Sequence, residues 1–222
     1  MAQLNAPSNE KHTQISAQRM IVAGEGPLKP VYTALAKQII ADYSLINLPS
    51  GIGIDLGSGP GHLIFELCSL TELHWINADI NPHFFAHFYT EAEKKGFAHR
   101  VSAVFADAQA LPFRDNFADI ILSRGSYHLW EDQELAFSEI IRVLKPGGVA
   151  YIGRGFPRDM PVEIARSIRK NQKNFPKYNP QAEVMLLKEI LNTLQIKSYR
   201  IERPVPPNSE GVNYGIWIEL RK

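Results

Sequence analysis

The stretch Asp55-Leu56-Gly57-Ser58-Gly59-Pro60-Gly61-His62 follows a short apolar run, Ile52 to Leu56, and precedes a helical pattern from His62 to Leu70. A strand, a glycine turn and a helix in that order let backbone approach a ligand. Glycines remove the Cβ atoms that would block the approach and permit positive φ, and the helix that follows offers unpaired N–H groups. Of two nucleotide-binding patterns, one is weakened, which lowers a nucleotide-dependent oxidoreductase as a third reading, and the other fails. The dinucleotide fingerprint GxGxxG starting at Gly57 needs glycine where the sequence has His62, and no Gly-Lys-Ser/Thr follows for a Walker loop. A turn that merely tightens a strand-to-helix connection stays open as the alternative.

Outward from this turn, short apolar runs bounded by Gly, Asp or Asn alternate with helical stretches, which is βαβ punctuation. Strands are expected at Ile52 to Leu56, His74 to Asp79, Val101 to Ala106, Phe117 to Ser123 and Gly148 to Gly153. Helices are expected at His62 to Leu70, Pro82 to Lys95 and Gln133 to Leu144, with Pro82 in a first turn and Asp132 as N-cap. Val184, Leu187, Leu191 and Leu194 mark another helix, and Ser198 to Arg203 reads as a strand. The closing strand, with Tyr214, Ile216, Ile218 and Leu220 on one face, suits an antiparallel return. The sum is an α/β architecture: a doubly wound sheet of seven strands, mostly parallel, with an antiparallel final strand.

Before the first strand, Tyr32, Leu35, Ala36, Ile39 and Ile40 recur at helical spacing until Leu48-Pro49-Ser50-Gly51 breaks the pattern. Residues 1 to about 20 are polar and aperiodic, so they read as a loosely ordered tail or as a segment that orders over a ligand. The expected division is a tail and covering helix over 1–50 and a main domain over 51–222, with a substrate-cover insertion at about 156–182.

The 222 residues carry 45% hydrophobic and 21% charged side chains, which suits one large globular domain. A net charge of +1 argues against a whole-domain footprint for nucleic acid. The lone Cys68 reads as a small buried apolar residue, and no CxxC or Cys/His grouping offers a metal site, so a reducing cytoplasm is expected. The N-terminus has no apolar signal region and no apolar run reaches 18 residues, so no membrane association is expected.

The pattern D-x-G-x-G-x-G at Asp55 to Gly61 resembles that of class I S-adenosyl-L-methionine-dependent methyltransferases, which have a Rossmann-like fold. Other landmarks agree in order: Asp79, 22 residues beyond Gly57; Asp107 in Phe105-Ala106-Asp107-Ala108; Asp119; and the turn Leu144-Lys145-Pro146-Gly147-Gly148. The resemblance is strong from about Gly51 to Gly155. Its segment from Ser123 to Asp132 looks like a version found in uncharacterised prokaryotic small-molecule methyltransferases. It implies that Gly57, Ser58, Gly59 and Gly61 meet the methionine moiety, with Asp55 a structural or amino-group contact. It also implies that Asp79, Ile80 and Asn81 hold the ribose and adenine, that Asp107 and Ala108 meet the adenine, and that Ser123 forms the wall under the sulfonium. Tyr32 is a candidate contact from the cover, with core packing as its alternative. The implied product is S-adenosyl-L-homocysteine.

The acceptor side is less legible. Tyr127 and His128 follow the fourth strand and are the candidates for acceptor contact or proton abstraction, although a packed Tyr and a backbone-bonded His explain them equally. Arg124 suits either an anionic acceptor or a bridge to a carboxylate of the fold. Arg154, Arg158, Arg166, Arg169, Lys170, Lys173 and Lys177 form the one basic concentration, read as a solvated helix face ahead of an anion site. Phe156, Met160, Phe175 and Tyr178 are candidates for an apolar lid or for core. The leading expectation is methyl transfer to a small molecule, needing no metal, by a monomer or homodimer. RNA or protein methylation and non-catalytic S-adenosylmethionine binding are the competing readings.

Overall fold

The computed structural model describes residues 7–171 and 179–222, with side chains described over 14–170 and 179–222. Two helices, α1 (Pro7–Glu25) and α2 (Lys29–Tyr43), precede the sheet. Then come β1 (Ile52–Leu56), α3 (His62–Cys68), β2 (His74–Asp79), α4 (Phe85–Lys94) and β3 (Val101–Phe105). The second half holds β4 (Ala118–Arg124), α5 (Gln133–Val143), β5 (Leu144–Gly155), α6 (Val162–Asn171), α7 (Pro180–Thr193), β6 (Tyr199–Glu202) and β7 (Gly215–Arg221). Asp132 caps α5 by accepting from the Leu135 N–H at 2.9 Å, which satisfies a first-turn donor.

The strands form one sheet in the order β3-β2-β1-β4-β5-β7-β6, with β7 antiparallel to both neighbours and the pairs among β1 to β5 parallel. Both faces are covered, which is why the central strands read as apolar runs rather than alternating ones. On one face Ile54, Leu56, Ile121, Ile152 and Ile218 pack with Phe137 and Ile140 of α5 and Leu187 and Leu191 of α7. On the other, Trp75, Leu122, Tyr151 and Trp217 pack with Leu35 and Ile39 of α2, Leu63 and Leu67 of α3 and Phe88 of α4. Each fully buried side chain of this size contributes about 1.5–3 kcal/mol. Tyr151 and Trp217 stack across the β5–β7 seam, 4.9 Å between centroids and 7° between planes.

The structure departs from the sequence reading in two places. The supposed loose tail is helical from Pro7, as α1, because Ala17, Ile21 and Gly24 dock on the body of the protein. The expected turn at Lys145 to Gly148 lies within the span of β5: Ala118 pairs with Leu144 and Ile120 with Val149, so β5 bulges there around Gly147 at φ +80°.

Candidate functional site

The strand order reverses between β1 and β4, and the loops after those strands meet at the carboxyl edge of the sheet, where α/β folds bind ligands. Gly57, Gly59 and Gly61 all have positive φ, at 69°, 58° and 84°. At Gly57 the requirement is doubled by close approach: a Cβ there would lie 2.4 Å from Cβ of Ser126. Ser126 donates its hydroxyl to the Leu56 carbonyl at 3.1 Å and shares a 2.6 Å bond with the hydroxyl of Ser123, so the β4 loop is tied to the lip of the glycine turn.

The turn is fixed from β2 by two side chains. Asp79 accepts from the Gly59 N–H at 2.7 Å through one oxygen and from the Asn81 N–H at 2.8 Å through the other. Asn77 donates its amide to the Gly59 carbonyl at 2.9 Å. Asn77 holds the turn and was not singled out by the sequence reading. It is wholly buried, and its signal was a polar side chain at the centre of an apolar strand. Burial pushes the Asp79 carboxyl above its ordinary value, opposed by the bonds from the Asn81, Gly59 and Ile80 backbone.

Asp55, at the end of β1, accepts from the Ser58 hydroxyl at 2.7 Å. Burial pushes its carboxyl up to about 7; the Ser58 bond and the charge of Arg124 act against that shift, and Asp79 adds to it. Folded protein therefore retains a proton that the unfolded chain, with an ordinary value of 3.8, has released. Between these two values the native state binds more protons, so the stability due to Asp55 falls as pH rises through the window. Urea unfolding at about pH 5 and about pH 8 should show that Asp55→Asn, which cannot ionise, flattens this fall; parallel curves for the two proteins would contradict it.

The remaining predicted residues sit around this turn in two groups. Ile80 is 60% exposed at the end of β2, and Asn81 caps the turn at Pro82–Phe84 by accepting from the His83 N–H. One strand further out, Ala106 N–H donates to the Asp79 carbonyl, Asp107 accepts from the Gln109 N–H at 2.9 Å, and Ala108 is buried. From the opposite side Tyr32 of α2 approaches, its ring 5.4 Å from that of His62 and under the Arg124 guanidinium at 5.1 Å. Helix α1 crosses the turn: a Cβ on Gly59 would lie 3.3 Å from Cε of Met20, and one on Gly24 would overlap the His62 ring.

The acceptor-side candidates divide. Tyr127 belongs to the core, fully buried, with its hydroxyl donating to the Glu183 carboxylate of α7, so its ring packs rather than faces the cleft. His128 is pushed down to about 4 by burial and by the charge of Arg154, and is neutral at physiological pH. The basic concentration is largely tied into the fold. Arg158 pairs with Asp42, Arg166 with Glu163, and Arg169 donates to the Asn213 carbonyl and lies over Phe156. Phe156 and Met160 are buried with Val31 and Tyr214. Lys173, Phe175, Lys177 and Tyr178 lie outside the described residues. Among the described residues no group of three or more His, Cys, Asp or Glu could hold a metal ion, and no helix is long and apolar enough to cross a membrane.

Comparison with known proteins agrees with this geometry. Residues 54–152 match the methyltransferase-domain family. The structure of a candidate S-adenosyl-L-methionine-dependent methyltransferase from Methanococcus maripaludis superposes with a TM-score of 0.77 at 30% identity, covering 100% of this chain and 97% of that one. The ubiquinone/menaquinone biosynthesis C-methyltransferase UbiE of Shewanella sp. (strain W3-18-1) is 37% identical over 97 residues, which are 43% of this chain and 39% of that protein. The sterol 24-C-methyltransferase erg6 of Aspergillus fumigatus is 29% identical over 122 residues, 54% of this chain and 32% of its own. The chain thus spans well under half the length of these two curated relatives. The likeness to the Methanococcus maripaludis protein, in contrast, runs over the full length of this chain, and on that ground the chain belongs to the class I S-adenosyl-L-methionine-dependent methyltransferases.

Proposed function

We propose that the chain transfers the methyl group of S-adenosyl-L-methionine to a small-molecule acceptor. The observation that carries this reading is the glycine turn held open by Asp79 and Asn77 beside the crevice between β1 and β4. The residues fit the cofactor: a carboxylate offers about four acceptor positions, and Asp79 is bonded by the backbone of Gly59, Asn81 and Ile80, leaving room for a ribose hydroxyl. In this reading Gly57, Ser58, Gly59 and Gly61 receive the methionine moiety and Asp55 its ammonium. Ile80 and Asn81 meet the ribose and adenine, Asp107 and Ala108 the adenine, and Ser123 backs the sulfonium.

When bound, the cofactor supplies a methyl group already activated by its positively charged sulfur. The protein's part is then alignment: holding acceptor and methyl in near-attack geometry supplies about 7–11 kcal/mol without an acid or base. Neutral His128 is a weak proton acceptor, which favours an acceptor atom that needs no strong base. The cover is read as α1, α2 and the segment after β5, supported by Met20 over Gly59 and by the packing of Val31 with Phe156 and Met160. A small molecule is favoured over RNA because Arg158, Arg166 and Arg169 are engaged within the fold and the net charge is only +1. Burial pushes the Cys68 thiol up to about 12, an inert thiol that suits a reducing cytoplasm.

Calorimetry in EDTA should give roughly micromolar binding of S-adenosylhomocysteine, about −8 kcal/mol, and no comparable binding of NAD or NADP. Binding of NADP without S-adenosylhomocysteine would overturn the reading. A screen of metabolites with labelled methyl donor then identifies the acceptor.

A further inference from the structure

His62 opens α3 directly behind Gly61 and is the residue on which the end of α1 lands. The α1 side of this contact has no side chain: a Cβ on Gly24 would overlap the His62 ring, so glycine is what admits the imidazole. The same ring is bonded to the Ile21 backbone of α1 and packs 5.4 Å from that of Tyr32, while its Nε2 is buried with no hydrogen-bond partner. Met20, one turn before Gly24, is thereby held over Gly59. A proton on this imidazole would bury a charged N–H donor that nothing accepts. The groups that share its surroundings come from four helices. Glu25 closes α1, α2 brings Lys29 beside Tyr32, and α3 itself adds Glu66 one turn further on. From α4 come His87, Glu91 and Lys95, with Glu91 already paired to Lys94 at 2.7 Å and to Lys95 at 3.8 Å. Burial acts most strongly on His62 and holds it below its ordinary 6.5; His87 and Lys95 add to that shift, and Glu25 and the Ile21 bond oppose it.

We propose that His62 is a positioning residue with a proton-dependent grip: neutral, it seats α1 over the glycine turn, and protonated, it releases α1 and uncovers the turn. The sign follows from the two states of the ring. Released, the imidazole meets water and takes its proton near the ordinary 6.5; docked, it takes the proton only at lower pH. Docking is therefore at full strength above that value and weakens as pH falls through it. Protonated His87 pulls the other way by pairing with Glu25 at 3.7 Å, but the Glu25 side chain is 54% exposed and water screens the pair. A helix without its docking surface frays, so backbone exchange in α1 reads the grip directly. The grip itself does not depend on which ligand the turn receives.

The test is hydrogen exchange on the full chain without ligand at about pH 7.5 and about pH 5.5, corrected for intrinsic exchange rates. In the wild type, residues 14–25 should lose protection several-fold at the lower pH, up to about tenfold, the factor by which an imidazole of ordinary value takes up protons over that window. Helix α5, which α1 does not cover, should lose none. His62→Gln cannot take the proton and should abolish the response, whereas His87→Gln should keep it. Gly24→Ala retains the imidazole but displaces α1 sterically, so residues 14–25 should there be poorly protected and equally so at both pH values; this variant decides if His62→Gln folds poorly. Equal protection of α1 at both pH values in the wild type overturns the proposal. So does a loss shared by α5, or a wild-type response persisting in folded His62→Gln or in Gly24→Ala.

Discussion

Asp79→Ala should weaken S-adenosylhomocysteine binding by about a hundredfold or more and leave a folded protein. The carboxylate accepts from Gly59 and Asn81 N–H groups at 2.7 and 2.8 Å, so its removal leaves two loop donors unmatched. Charge-assisted bonds of this type contribute about 1.5–3 kcal/mol each, and the loss reaches the ligand because these bonds hold the turn that receives it. The ribose partner disappears in the same substitution. Asp79→Asn should fall between the two, since an amide can accept at only one of its two heavy atoms and would present N–H₂ to the other donor. Calorimetry gives the affinity and urea unfolding gives the cost to the fold. Wild-type affinity in folded Asp79→Ala would remove Asp79 from the site.

Gly61→Ala should cost about 2–5 kcal/mol of stability. Gly61 sits at φ +84°, where an L side chain is strained by about 1–2 kcal/mol, and the added Cβ would lie 2.3 Å from Cδ2 of Phe88. Phe88 is fully buried and stacked on Phe65 at 5.2 Å, so it has nowhere to retreat. Overpacking of that kind adds about 1–3 kcal/mol. Denaturant unfolding measures the loss, and Phe88→Leu in the same chain should recover part of the packing share while leaving the backbone strain. A Gly61→Ala protein as stable as the wild type would show that α3 shifts freely on the sheet.

The glycine turn, the sheet and its last antiparallel strand were legible because each follows from a local rule: glycine where backbone must be approached, apolar runs where both faces are covered, Asp132 where a helix begins. Helix α1 was not legible. Its docking residues Ala17, Ile21 and Gly24 keep helical spacing, but Ile15, Met20 and Val22 are exposed on other sides and blur the stripe. The helix is held by what it lands on, including the His62 ring against Gly24. Partners far away in sequence hid the rest. Tyr127 looked available until Glu183 took its hydroxyl, and Arg158 looked like part of a solvated face until Asp42 paired with it. Arg124 showed the converse: the carboxylate bridge expected of it is absent from its described contacts.

Arg158 and Gln38 also set an order of assembly. The Arg158 guanidinium holds Asp42 of α2, its backbone N–H donates to the Gln38 side chain at 2.8 Å, and Gln38 in turn donates to the Tyr151 hydroxyl at 2.8 Å. Helix α2 is thus fastened to chain more than a hundred residues downstream. On a ribosome that delivers the amino end first, these fastenings stay unmade until the segment through Arg158 has emerged, so α2 waits beside a growing half-sheet with its polar anchors in water. The polar ties of that wall consequently close after strands β1 to β4 of the crevice floor have been made, although its apolar side can already rest on α3.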